Sequence, residues 1–270
     1  MSVRIVGIDC ATEDAKIGLA LGEEFGGRAV MTEVRICSAE SRAATLIADW
    51  LRREPKTPTL LAIDAPLGWP KDLAESLIEH RAGASVSVQP NRMFRRETDR
   101  FVHAQLNKTP LEVGADRIAR TAHAALVLLT DLRKQLDIKL PLAWGPDWEG
   151  TAAIEVYPAA TLLARKMTAS GYKKKKHHAS ERESLSLALS AHLQLPDSCP
   201  AIVQSADALD AAVCVLAGAD FVRGHAHQPA DRELAEKEGW IWFASTSALP
   251  NMAFHPTPDL GSFAPSARRG

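Results

Sequence analysis

The chain has 270 residues, of which 46% are hydrophobic and 24% are charged, a composition typical of one large globular domain or two small ones. Its 32 lysines and arginines nearly cancel its 33 aspartates and glutamates, which excludes a strong net positive field that would attract nucleic acid or anionic lipid. Any polyanion must therefore bind a local patch of positive charge. The four cysteines show neither zinc spacing nor disulfide density, and no apolar run reaches the roughly 18 residues of a membrane span; we therefore expect a soluble cytoplasmic protein with reduced thiols.

The first part of the chain predicts three strands, a helix and a fourth strand. Short β-branched runs over 3–8, 15–21 and 29–36, separated by turn-forming residues, predict an antiparallel meander. Apolar residues at helical spacing predict a helix over about 40–53. The strand "TLLAID", which follows this helix, is expected to return parallel to the first strand by a right-handed crossover.

The rest of the chain alternates helices with one further strand and contains an irregular stretch. Residues 66–116, with a Pro/Gly break and an arginine-rich segment that fits no clean period, are predicted to be an insertion. The elements predicted around it are a short helix at 71–82, a long helix at about 116–136, a strand at 152–158, helices at 180–193 and from Ser205, and a strand-like "GWIWFAS". We expect one domain over 1–243 and an irregular tail over 244–270.

The order β-β-β-α-β-α-β-α predicts an α/β fold with a mixed five-stranded sheet flanked by helices. Ribonuclease H-like domains have this order. The fold predicted from the sequence is therefore ribonuclease H-like, with the inserted helical and irregular segment placed after the fourth strand.

Acidic residues close the predicted core strands. Asp9 ends the first strand and Asp64 the fourth, and because these strands should be parallel neighbours, their carboxyl ends should meet where ligands gather in α/β sheets. Two such carboxylates would repel each other unless a cation neutralised them, and Mg²⁺ or Mn²⁺ prefers oxygen ligands. Asp207 and Asp210, three residues apart near a helix N-terminus, are candidates for a third ligand. Glu155 ends the fifth strand and is a further acid in reach, for the metal or for positioning substrate or Tyr157.

Several motifs together identify a family. The segments "GIDCA", "IDAPLGWP", "RRETDR", "EVYPAA", "SADALDAAVC" and "EGWIW" span residues 7–242 and resemble the domain-of-unknown-function family 429, described as predicted nucleases with a ribonuclease H-like fold. The resemblance implies that fold and a metal-dependent nuclease activity. Carried over position by position, it points to Asp9, Asp64, Glu155, Asp207 and Asp210, with Arg96, Thr98 and Asp99 from the insertion.

A nuclease of this kind implies a defined mechanism. Two Mg²⁺ or Mn²⁺ ions about 3.5 to 4 Å apart would activate a water and stabilise the leaving oxygen in an in-line attack on a phosphodiester. Asp9 would bridge the ions, Asp64 would hold one, and Asp210 or Asp207 the other. DNA or RNA would be contacted by basic side chains and one aromatic ring, for which the candidates are Arg92, Arg96, Arg100, Lys173, Lys174 and Trp69, with Thr98 and Asp99 beside them.

Two other functions stay open at this stage. The segment "GIDCATEDAKIGLAL" is similar to the first phosphate loop of sugar kinases and actin-like proteins, which share the core, so a phosphotransferase is the first alternative. Pro66 argues against it, because proline lacks the backbone N–H that would bind phosphate. The second alternative is a non-catalytic nucleic-acid or ligand-binding protein. Neither the substrate nor the choice between monomer and homodimer follows from the sequence.

Overall fold

The computed structural model describes residues 2–114, 116–173 and 178–247. Five strands form one sheet: β1 (Val3–Asp9), β2 (Gly18–Phe25), β3 (Arg28–Ile36), β4 (Thr59–Asp64) and β5 (Thr151–Glu155). The helices are α1 (Ala43–Arg53), α2 (Lys71–Leu77), α3 (Pro90–Met93), α4 (Glu97–Leu106), α5 (Asp116–Leu136), α6 (Pro158–Ala164), α7 (Ala179–Ser190), α8 (Pro200–Gln204), α9 (Ala206–Val222) and α10 (Arg232–Glu238).

The sheet has the strand order β3-β2-β1-β4-β5. The pairs β1/β2 and β2/β3 are antiparallel, whereas β1/β4 and β4/β5 are parallel. The meander and the parallel return of the fourth strand are therefore confirmed. This order with these directions is the ribonuclease H-like arrangement, and the predicted α/β fold class is confirmed.

Both faces of the sheet are buried, which explains why its central strands read as continuous apolar runs. In β4 the side chains alternate: Leu60 and Ala62 pack with α9 in one core, and Leu61 and Ile63 pack with residues of α1 and α5 in the other. The strand ends, where packing stops, are the places at which acidic side chains can reach solvent.

Some predicted elements differ in extent from the observed ones. β2 begins at Gly18 because Asp14–Lys16 forms a 3₁₀ turn. The segment "GWIWFAS" forms isolated bridges, such as Glu155 with Ile241, and no strand among the described residues. Its residues 240–244 are all buried, so its side chains do not alternate between core and solvent as those of a half-exposed strand would.

The inserted segment carries α2, α3 and α4 between β4 and α5. The predicted domain limits, 1–243 and 244–270, stay a prediction, since residues 248–270 lie outside the described part of the chain. Within the described ranges, none of the helices combines the length and apolarity needed to span a membrane. The four cysteines are free thiols, Cys199 half-buried and the other three buried.

Candidate metal centre

Asp9 and Asp64 lie side by side at one edge of the sheet. They are the last residues of β1 and β4, and they are direct partners in the parallel register of these two strands. The residues before them are buried, whereas both acids are half-buried. The expectation that the two strand ends meet is therefore confirmed.

The third acid comes from α9, which lies directly on the sheet. A Cβ placed on Gly7 would come within 2.1 Å of the Ala211 carbonyl oxygen, and one placed on Gly18 within 2.1 Å of the Asp207 carbonyl oxygen. Only glycine permits this approach of the helix backbone to β1 and β2. The close packing brings Asp210, 2% exposed, to the ends of the strands.

Asp9, Asp64 and Asp210 form a compact group of carboxylates. Each contributes an oxygen atom, and these atoms all lie within 4.8 Å of one another. Burial, followed by the charges of Asp210 and Asp64, raises the pKa of Asp9 well above its usual value. Burial likewise raises the pKa of Asp64 to about 7, although Lys173 lowers it.

The group therefore disfavours three simultaneous negative charges and would be stabilised by a bound cation. Three carboxylates from three separate elements form a donor set that suits Mg²⁺ or Mn²⁺, which prefer oxygen ligands.

Two neighbouring residues contact the Asp210 carboxylate. The Tyr172 hydroxyl donates a 2.7 Å hydrogen bond to Oδ1, and Lys173 Nζ forms a 2.6 Å ion pair with Oδ2. Tyr172 is buried, and the Arg182 side chain donates a 2.8 Å hydrogen bond to its carbonyl oxygen. Although burial lowers the pKa of Lys173, the charges of Asp210 and Asp64 raise it above its usual value, so this lysine stays protonated.

Asp207 lies in the first turn of α9, half-buried, and does not belong to the group of three. Ser205 caps this helix, with its side chain accepting hydrogen bonds from the N–H groups of Asp207 and Ala208 at 3.2 and 3.3 Å. Asp207 is therefore not needed as a cap. Of the two aspartates that the sequence left as alternatives, the structure brings Asp210 to Asp9 and Asp64.

Glu155 is buried, and it binds protein groups instead of joining the metal-ligand group. Its two carboxylate oxygens accept hydrogen bonds from the Arg96 guanidinium at 2.7 and 2.8 Å, and Oε2 also accepts one from the Leu67 N–H at 2.9 Å. Leu67 lies in the loop that follows Asp64. Glu155 thus ties the inserted segment to this loop. Its role in positioning substrate or Tyr157 stays a prediction.

Arg96, Thr98 and Asp99 lie inside the protein, although the sequence predicts them at a substrate surface. Arg96 is 1% exposed and also pairs with Asp99 at 2.9 Å. Thr98 accepts a 2.8 Å hydrogen bond from the Ile241 N–H. Their hydrogen-bonding groups serve the packing of α4 against the sheet edge and the segment at 238–241, because buried polar groups need partners.

The remaining predicted substrate residues lie at different places. Arg92 pairs with Asp72 at 2.7 Å and Arg100 with Glu97 at 2.7 Å, and both arginines line a polar cavity of about 300 Å³ between the inserted helices and α10. Trp69 is half-buried in the loop after Asp64. Lys174 lies outside the described residues.

The sequence reasoning did not identify Tyr172 as a partner of the acidic group. A signal was present, because the chain contains only two tyrosines and this one directly precedes the lysine run. A second region that it missed is a cavity of about 330 Å³ lined by Thr12, Arg120 and His123. Thr12 follows Asp9 by three residues, so this cavity borders the loop that leaves β1.

Comparisons with known proteins place the chain as follows. A family model described as "Protein of unknown function (DUF429)" matches residues 7–234. No curated protein matches the sequence significantly. Among solved structures, T. thermophilus RuvC in complex with Holliday junction substrate matches with 13% identity and a TM-score of 0.37, covering 82% of this chain and 96% of that one. The fold is accordingly assigned from the strand order and directions of the sheet itself.

Proposed function

The chain belongs to DUF429, a family of proteins of unknown function whose model matches residues 7–234, and for this member we propose a metal-dependent nuclease activity. The observation that carries the proposal is the group of Asp9, Asp64 and Asp210, whose ligand oxygens lie within 4.8 Å of one another. Three elements far apart in sequence contribute these acids, and each acid lies at the end of a strand or in the first turns of a helix.

The three aspartates would hold Mg²⁺ or Mn²⁺. A divalent metal bound there supplies charge to a phosphodiester and lowers the pKa of bound water, which provides a nucleophile at neutral pH. The protein's own contribution is to fix the three carboxylates: β1 and β4 hold two of them in register, and the packing of α9 on glycine holds the third.

The loop after Asp64 supports a hydrolase over the phosphotransferase alternative. A phosphotransferase that bound phosphate at this loop would need free backbone N–H groups there. Here Pro66 has no N–H group, and the N–H of Leu67 is donated to Glu155 at 2.9 Å. Two of the positions that would bind a phosphate are thus unable to do so.

Substrate contacts would come from cationic side chains near the acidic group. Lys173 is half-exposed beside Asp210, and Arg120 and His123 lie next to the loop that leaves β1. Arg92 and Arg100, like Lys173, pair with carboxylates, so each of these three cations would add little net charge. Because such contacts are electrostatic, binding of DNA or RNA would weaken as salt increases.

The test of this proposal is whether the protein cleaves any of a panel of nucleic-acid substrates. Labelled single-stranded DNA, duplex DNA, a four-way junction and RNA are incubated with the full chain and Mg²⁺ or Mn²⁺, and products are resolved on denaturing gels. We expect cleavage of at least one substrate that EDTA and Asp64→Asn abolish and that Asp49→Asn, a change at an exposed aspartate of α1, leaves intact. Metal-dependent ATP hydrolysis with no nucleic-acid cleavage would support the phosphotransferase instead.

A further inference from the structure

We propose that Lys173 takes the place of a second metal ion. The three aspartates then bind one divalent ion, and the Lys173 ammonium group balances their remaining negative charge. The proposal rests on the proposed function, because it concerns the same three aspartates. It differs from the arrangement predicted from the sequence, in which two ions share these ligands.

The contacts divide the acidic group into two parts. Both oxygens of Asp210 already have partners, Tyr172 at 2.7 Å and Lys173 at 2.6 Å. The carboxylates of Asp9 and Asp64 have no ion-pair partner within residues 2–114, 116–173 and 178–247. One ion therefore has two carboxylates open to it and can share the third, whereas a second ion would have to displace Lys173 from Asp210.

The charge balance of the three aspartates also favours one divalent ion together with Lys173. Three carboxylates carry three negative charges when ionised, and one divalent ion with one ammonium supplies three positive charges. A second divalent ion beside the ammonium would leave an excess of positive charge in a site where Asp210 is buried and Asp9 and Asp64 are half-buried. Like charges at such short range repel strongly where the effective dielectric constant is low.

The position of Lys173 is fixed by the residue before it. Tyr172 is 1% exposed and is held from both sides, since its hydroxyl donates to Asp210 and its carbonyl oxygen accepts a hydrogen bond from Arg182. The backbone at Lys173 is therefore anchored at the rim of the acidic group. An anchored lysine loses less conformational entropy in forming its ion pair than one in a free loop.

The experiment counts Mn²⁺ ions on the full chain by calorimetric titration and electron paramagnetic resonance at pH 8. Wild type, Lys173→Arg and the control Lys134→Met, which removes an exposed lysine at the far end of α5, are expected to bind one Mn²⁺ with an uncoupled spectrum. Lys173→Met is expected to bind two ions with a spin-coupled spectrum, and to bind the first about tenfold more tightly because a neighbouring positive charge is gone. Lys173→Gln, which also removes the charge, should behave in the same way.

The outcomes separate the two proposals. Two coupled ions in wild type, or an unchanged stoichiometry in both Lys173→Met and Lys173→Gln, would overturn the role of Lys173 and leave the nuclease proposal standing. No Mn²⁺ binding by any variant, with folding verified by circular dichroism, would overturn both, because the acidic group would then not be a metal centre.

Discussion

Replacing Asp64 by asparagine is expected to stabilise the metal-free protein while removing its response to metal. The carboxylate is confined beside Asp9 and Asp210, and burial raises its pKa from the ordinary 3.8 to about 7. Asparagine has nearly the same shape and carries no charge. The substitution therefore removes an electrostatic cost of folding that the wild-type chain bears at neutral pH.

The magnitude follows from the pKa. One pH unit corresponds to about 1.4 kcal/mol, so the displacement of the Asp64 pKa sets an upper limit of about 4 kcal/mol on the gain in the free energy of unfolding. Because the side chain is only half-buried, solvent screening reduces this limit, and we expect about 2 kcal/mol.

The gain should depend on pH in a defined direction. Between about pH 4 and pH 7 the folded chain keeps a proton on Asp64 that the unfolded chain has released, so the stability of wild type falls as the pH rises through this range. Asparagine binds no such proton. The advantage of Asp64→Asn should be complete above about pH 7 and should vanish below about pH 4.

Urea denaturation in EDTA at several pH values measures this difference, with Asp49→Asn as the control for a generic loss of an aspartate. The titrations are then repeated with Mn²⁺, which should raise the free energy of unfolding of wild type and of the control but not of Asp64→Asn. A metal-free Asp64→Asn variant less stable than wild type at pH 7.5, or a variant stabilised by Mn²⁺ as much as wild type, would refute the reasoning.

Three further predictions concern the same site. The increase in melting temperature caused by Mn²⁺ should be larger at pH 8 than at pH 5.5, because protons compete with the ion below the raised pKa of Asp64; an equal increase at both pH values would contradict this. Glu155→Gln should lower the free energy of unfolding by about 3 kcal/mol in urea titrations, because it leaves the buried Arg96 with too little negative charge; a loss below about 1 kcal/mol would mean that the pair contributes little. Gly7→Ala should cost at least about 2 kcal/mol and abolish the Mn²⁺ response, because the new Cβ displaces α9, whereas the control Gly145→Ala, where a Cβ meets nothing within 4 Å, should change neither.

The sequence could predict the part of the site that depends on strand order. Asp9 and Asp64 follow apolar runs, and two parallel neighbouring strands must bring their carboxyl ends together, so their meeting required only the topology. The choice between Asp207 and Asp210 depended on how α9 is rotated on the sheet. That rotation is set by the contacts over Gly7 and Gly18, and glycines inside a predicted strand were the available signal.

The roles of Arg96 and Glu155 could not be predicted in this way. Acidic and basic residues at a strand end or in an insertion are compatible with substrate binding until their partners are known. These two pair with each other across 59 positions of the chain, and no local pattern encodes a contact of that separation. The arginine-rich sequence of the inserted segment is typical of an exposed surface, whereas the structure buries Arg96.

The packing of α9 on the glycine backbone of β1 and β2 also determines when, during synthesis of the chain, the metal centre can form. Asp9 and Asp64 are synthesised early, whereas Asp210 belongs to a helix that leaves the ribosome much later and packs on β1 and β2. A nascent chain that has not yet reached α9 has only a pair of acids and no complete metal centre. Ion binding by Asp9, Asp64 and Asp210 together would therefore report that α9 has docked on β1 and β2, and any activity that depends on the three acids would begin only after this docking.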